Sequence, residues 1–143
     1  MPRLITSRDA LLPHQVPSFF ARHSTNGNDQ ITINTDVVFG TVTHNNGGHY
    51  DSSNGRFTVP FDGVYFFAAL LLSNQSNRLF FHLRKNGTRI NGTSVETLSQ
   101  TSNYASGQTH ATLTLDAGDY ITVHATTAAY GGIYDHFTGH LVR

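Results

Sequence analysis

The stretch Tyr130-Gly131-Gly132-Ile133-Tyr134-Asp135-His136 holds the residue types that a sugar site uses. Tyr130 and Tyr134 offer flat apolar faces for a pyranose ring, and Asp135 and His136 offer polar atoms for its hydroxyl groups. Read as a loop, the stretch sits where binding usually sits, on a connection held by a rigid scaffold. The same four residues would also serve to pack the base of that loop. Other chemistry is hard to assemble. No Gly-x-Ser-x-Gly elbow accompanies the many Ser and Thr residues. Asp116 and Asp119 lie in a turn, Asp116-Ala117-Gly118-Asp119, where a structural role is favoured. A binding module is expected rather than an enzyme.

The 9 His residues raise a metal reading. His44 and His49 flank a Gly turn, and His136 and His140 are four apart. On a strand, positions four apart share a face but lie about 13 Å apart, too far to ligate one ion. No metal site is therefore expected. Asn74-Gln75-Ser76, Asn86-Gly87-Thr88 and Asn91-Gly92-Thr93 fit the glycosylation acceptor pattern, which short Asn-rich chains also produce by chance.

These residues need elements to position them. The chain has 143 residues, enough for one domain. It carries 9 Lys plus Arg against 9 Asp plus Glu, and only 13% of its residues are charged. That balance argues against nucleic acid, which asks for a basic stripe. It argues equally against a polybasic membrane anchor, and no run of about 20 apolar residues would insert in a bilayer. Cysteine is absent, and the first residues lack the apolar core of a signal peptide.

Turn residues divide the chain into about ten short strands, and no helical period stands out. Ser18–Arg22 is the first strand, Ile31 and Ile33 alternate with polar neighbours in the second, and residues 37–42 form the third. Asn54-Gly55 precedes a strand ending at Pro60, and Asn86-Gly87 reads as a type I′ hairpin turn. Residues 91–108 hold a weak strand and a loop, and strands follow around Ala111–Leu115, Ile121–Thr126 and Phe137–Val142. The pattern predicts an all-β sandwich or jelly roll.

One strand differs from the rest. Gly63-Val64-Tyr65-Phe66-Phe67-Ala68-Ala69-Leu70-Leu71-Leu72 has no polar side chain but the Tyr65 hydroxyl. A strand with one wet face alternates apolar and polar. Here Tyr65, Phe67, Ala69 and Leu71 point one way, and Val64, Phe66, Ala68, Leu70 and Leu72 the other. One set faces the domain core. The other needs a second layer or a neighbouring subunit, so Phe66, Ala68, Leu70 and Leu72 are the expected oligomer interface. His82 and His124 sit in strands whose alternate residues are apolar, and are candidates for imidazoles held neutral and lost to acid.

Around this strand runs a spaced set of aromatics with one polar residue and one Gly: Phe39, Asn45, Tyr50, Phe57, Gly63, Tyr65 and Phe67, with Ala69 at the next position. Ala105-Ser106-Gly107, Leu115-Asp116-Ala117-Gly118-Asp119 and Phe137-Thr138-Gly139-His140-Leu141 follow in order. The set resembles the globular head domain of complement component 1q, in which an aromatic is usual where Ala69 stands. The match runs from about Pro17 to Arg143. It leaves residues 1–16 as an N-terminal arm and 17–143 as one domain. The resemblance implies a ten-stranded jelly roll of the complement 1q and tumour necrosis factor type, a tight homotrimer, and secretion. The chain looks like the head-only type, without a collagen stalk. Some relatives bind calcium through Asp residues at positions that match Asn77 and Asn86, and neutral amides bind calcium more weakly. The function expected is a secreted, lectin-like trimer recognising carbohydrate or microbial surfaces in innate immunity. The alternatives are a cytokine-like ligand of a cell-surface receptor and a structural trimeriser of the extracellular matrix.

Overall fold

A computed structural model describes residues 11–12, 15–23, 29–73, 77–98, 103–131 and 133–143, with Asp29 described in its backbone alone. Most of the proposed arm, residues 1–10 and 13–14, lies outside these, as does the Asn74 acceptor sequence. The described residues form strands and turns and no α-helix. In chain order the strands are β1 (Ser18–Arg22), β2 (Asp29–Ile31), β3 (Thr35–Asp36), β4 (Thr41–Asn46), β5 (Tyr50–Asp51), β6 (Arg56–Thr58) and β7 (Gly63–Ser73). They continue as β8 (Arg78–Lys85), β9 (Thr88–Arg89), β10 (Val95–Leu98), β11 (Ser106–Leu115), β12 (Tyr120–Ala125), β13 (Ala129–Gly131) and β14 (His136–Leu141).

Two antiparallel sheets face each other across one core. The first runs β2-β13-β7-β14-β1-β4, with β11 along the free side of β7. The second runs β10-β8-β12-β6-β5, with β3 on β12 and β9 on β8. This is an all-β jelly-roll sandwich. β7 is its longest strand and pairs with β11 over its whole length from Gly63 to Leu72. Its inward residues, Tyr65, Phe67, Ala69 and Leu71, have no exposed surface.

The core is aromatic. Phe19 stacks on Tyr50 at 4.7 Å and on Phe57 at 5.1 Å, and meets the edge of Phe137 at 4.8 Å. Aromatic pairs at these distances stabilise beyond their buried area by about 0.5–1.5 kcal/mol each. Gly139 lies beneath this cluster: a Cβ there would come 2.5 Å from the Phe67 ring and 2.9 Å from Phe19. The Gly in the Phe137–Leu141 motif is a packing requirement.

Three strand assignments differ from the sequence reading. Residues 37–40 are not a strand, although Val37 and Phe39 are buried. The Tyr50 hydroxyl serves both backbone groups of Phe39, accepting its N–H at 3.1 Å and donating to its carbonyl at 3.0 Å. One side chain thus replaces a neighbouring strand at Phe39, and strand pairing begins again at Thr41, now with β1 of the first sheet. The second strand ends at Ile31. Ile33 is 55% exposed and precedes Asn34, which turns the chain with φ 52°. Finally, Ala129–Gly131 is a strand rather than part of a loop, wedged between β2 and the end of β7. The Asn86-Gly87 turn is as read, with φ of 51° and 81°.

His82 and His124 are in register on β8 and β12, on the outward face of the second sheet. They do not share a face with Phe66 and Leu70. Their rings lie 5.3 Å apart. His124 Nδ1 is 2.9 Å from the Asp36 carboxylate. His82 is fully buried with no carboxylate partner. Burial first, then the charges of Arg89, His124 and Arg84, push its pKa down to about 4. The folded value lies below the unfolded one, so this stability is whole above about pH 6.5 and drains as pH falls from there to about 4. The full loss is on the order of 3 kcal/mol. Thermal melting between pH 7.5 and 4 should therefore show a falling melting temperature in the wild type and a flatter profile in His82→Gln. Superimposable profiles would remove His82 as the cause.

Candidate functional site

The four residues expected from the sequence to contact sugar separate in the structure. Tyr130 lies on β13 in register with Leu72 of β7, and paired residues of an antiparallel ladder share a face. Tyr130, Tyr134, Tyr104, Leu72 and Gly131 line a cavity of about 240 Å³ at that end of the sheet. Tyr104 meets Tyr130 edge to face at 5.4 Å. Tyr134 and Tyr104 are 54% and 42% exposed, so their ring faces remain available. Tyr104 was not singled out from the sequence. It stands in a stretch of Ser, Thr and Asn with no periodicity, and only the register of β11 brings it to the cavity.

Asp135 does not join this aromatic cup. It is 2% exposed, and its Oδ1 accepts the backbone N–H of His23 at 2.8 Å, tying the turn before β14 to the end of β1. Gly131 has no room for a side chain because the Asp135 carboxylate and the His23 ring occupy that space. The carboxylate is thus used in holding the loop, the alternative role raised for it from the sequence. His136 is on β14, in register with Leu70, and stacks on Phe20 at 5.4 Å. Burial lowers its pKa.

The outward row of β7 forms the second candidate surface. Along β7 buried and half-buried residues alternate without a break, and Val64, Phe66, Ala68, Leu70 and Leu72 are the half-buried set. β11 sets Thr114, Thr112, His110, Gln108 and Ser106 beside them, and β14 sets His140, Thr138 and His136 on the other side. Phe66 packs at 5.4 Å from His140 and 6.1 Å from His110. No carboxylate stands in register with this row. Sheet one thus presents an apolar strip flanked by imidazoles and hydroxyls, with the tyrosine cup at one end.

No group of three His, Asp or Glu side chains able to hold a metal occurs among the described residues. Asn86 ties its hairpin to the turn before β12: its amide nitrogen donates to Asp119 at 2.9 Å and its amide oxygen accepts the Tyr120 N–H at 2.9 Å. The same nitrogen would carry any glycan on that acceptor sequence. Asn91 is exposed.

With the fold and these surfaces described, comparison with known proteins places the chain. The C1q domain profile matches residues 18–142, and the chain belongs to the C1q domain family. Complement C1q tumor necrosis factor-related protein 3 is 26% identical over 122 residues in Homo sapiens and 28% over 123 in Mus musculus. Each match covers 85% of this chain and 48% of the relative, so the chain spans about half the length of these relatives. Among solved structures, the globular domain of zebrafish complement 1qA superposes with a TM-score of 0.75 at 22% identity, over 89% of this chain and 98% of that one. Eiger TNF from S. frugiperda gives 0.71 at 14%, over 90% and 94%, and murine APRIL gives 0.67 at 16%, over 89% and 99%. The fold is therefore the jelly roll seen in these C1q and tumour necrosis factor structures.

The Asn86 geometry yields a direct test. Asn86→Asp sets a second carboxylate against that of Asp119 in place of a hydrogen bond. The melting temperature should fall at pH 7 and recover toward pH 4, as one of the two carboxylates takes up a proton. An unchanged melting temperature at pH 7 would show that the amide does not brace the hairpin.

Proposed function

We propose that this chain acts as a secreted homotrimer that recognises carbohydrate on microbial surfaces, with the outward row of β7 as the assembly face and the tyrosine cup as the sugar contact. One observation carries the assembly: the half-buried apolar row from Val64 to Leu72, which nothing among the described residues covers. Apolar strips of this kind mark interaction surfaces. In a trimer each copy would lay part of its surface on the next, taking Phe66 and Leu70 out of water. Leu72 belongs both to this row and to the cup. The cup then lies at the margin of the assembly face. Single sugar contacts are weak, and three presented together gain by effective concentration.

A cytokine-like role is the second reading. It draws on the fold shared with Eiger TNF and murine APRIL, and asks for a protein partner rather than a sugar. A structural trimeriser would use the assembly face alone.

The cup provides its own probe. The chain has no Trp and 6 Tyr, and three of the six line the cup. Titration with microbial polysaccharide should change tyrosine emission in the wild type and not in Tyr134→Ala. Phe66→Asp should sediment at lower mass and bind polysaccharide more weakly while keeping the fluorescence response, because it puts an unpaired charge into the seam. No response to any microbial polysaccharide, with saturable binding to host cells that sugars do not compete, would replace this reading by the cytokine-like one.

A further inference from the structure

The outward face of sheet two carries an unusual pair. β8 and β9 form the hairpin that turns at Asn86-Gly87, and Arg84 of β8 is directly opposite Arg89 of β9. Like charges directly opposite in a ladder are destabilising. A neighbouring carboxylate would normally offset such a pair. Here the nearby cations that have partners are others: Arg78 binds Glu96 at 2.6 Å, Lys85 binds Asp119 at 3.3 Å, and Arg56 is in register with Asp51. Asp36 is occupied by His124. Neither Arg84 nor Arg89 forms an ion pair among the described residues. Arg84 donates from Nε to His82 Nε2 at 3.2 Å, and Arg89 lies over the Phe80 ring at 5.6 Å.

Two more polar groups stand unsatisfied next to the pair. Thr122 of β12 is in register with Arg84, is fully buried, and its hydroxyl has no partner. His82 is fully buried, and its Nδ1 also has no partner. Because Nε2 accepts from Arg84, the ring proton of neutral His82 is on Nδ1. Arg84 and Arg89 thus stand together on one face, and the acceptor given to Arg84 is the neutral His82 Nε2 rather than a carboxylate. Buried donors left unpaired and like charges left opposed both cost stability in the free protein. An anion bridging the two guanidinium groups would offset the second cost, while Thr122 and His82, fully buried, stay out of its reach.

We propose that Arg84 and Arg89 form a binding site for the oxyanion groups of an acidic saccharide polymer, distinct from the tyrosine cup. Planar guanidinium forks suit sulfate, phosphate and carboxylate groups alike. The site lies on the sheet opposite the β7 assembly face, so assembly leaves it open. Its existence does not depend on the trimer. Only the gain from presenting three copies to one polymer rests on that reading.

The test is retention of the intact chain on immobilised dextran sulfate, polyphosphate, polygalacturonate and neutral dextran. The wild type should bind one or more of the charged polymers, which identifies the anion, and should pass neutral dextran. Arg84→Gln and Arg89→Gln should each weaken binding by about tenfold or more, as expected for lost charge-assisted hydrogen bonds. Tyr134→Ala should leave it unchanged, and Phe66→Asp should lower avidity without abolishing it. Melting provides a second readout. Arg89→Gln should melt no lower than the wild type without ligand, since it removes a like-charge contact, and inorganic phosphate or sulfate should raise the melting temperature of the wild type more than that of the double variant. Equal retention of the wild type and the double variant, or no retention on any charged polymer, overturns the proposal. Loss with Tyr134→Ala instead would assign the polymer to the cup.

Discussion

β7 makes two demands on its surroundings. Its inward residues sit in a close-packed aromatic core, where truncating one ring costs roughly 3–5 kcal/mol. That is a large fraction of the stability of a domain this size. Its outward residues are almost as apolar, yet only half-buried. Burying a side chain such as Phe or Leu contributes about 1.5–3 kcal/mol, so a row of five is a substantial driving force for association. Much of the rest of sheet one fits this strand. β11 and β14 flank it with Thr, His, Ser and Gln, groups that can hydrogen-bond across a seam without bringing fixed charge into it.

The division of labour between the sheets follows. Sheet one keeps Asp and Glu away from the β7 row, and its titratable groups there are imidazoles. Sheet two gathers Arg56, Arg78, Arg84 and Arg89, with Asp51 in register with Arg56 and Glu96 paired with Arg78, and Arg84 and Arg89 left unanswered among the described residues. The net charge of zero therefore conceals a strong local asymmetry. The tyrosine cup occupies a third position, at the end of β7 where sheet one stops, and its rings are exposed because no strand continues over them.

Much of the fold could be read from the chain because its determinants are local. Period-two alternation, Asn-Gly turns and the two-sided strand each act over a few residues, and the spacing of Phe39, Tyr50, Phe57, Tyr65 and Phe67 records the core directly. What escaped reading depends on distant contacts. Val37 and Phe39 look like a strand because the run is apolar, but the Phe39 backbone is satisfied by the Tyr50 hydroxyl and the Val37 N–H donates to the Val123 carbonyl. The residues read from the sequence as a sugar site come together only in part. Tyr130 and Tyr134 come together, whereas Asp135 is drawn inward by the backbone of His23, a bond spanning 112 positions. Tyr104 enters from the segment just before β11. Side chains that converge through long-range register leave no local pattern, and binding surfaces are made of such convergences.

The central claim is that the outward row of β7 is covered by further copies of this chain. Backbone hydrogen exchange along β7 and β11, followed against protein concentration beside the sedimentation mass of the same samples, addresses it most directly. The expected result is a mass three times that of one chain at micromolar concentration, with protection of Val64–Leu72 and Ser106–Leu115 falling together as dilution separates the copies. A stable single-chain mass, with protection of these strands unchanged by dilution, would contradict the account.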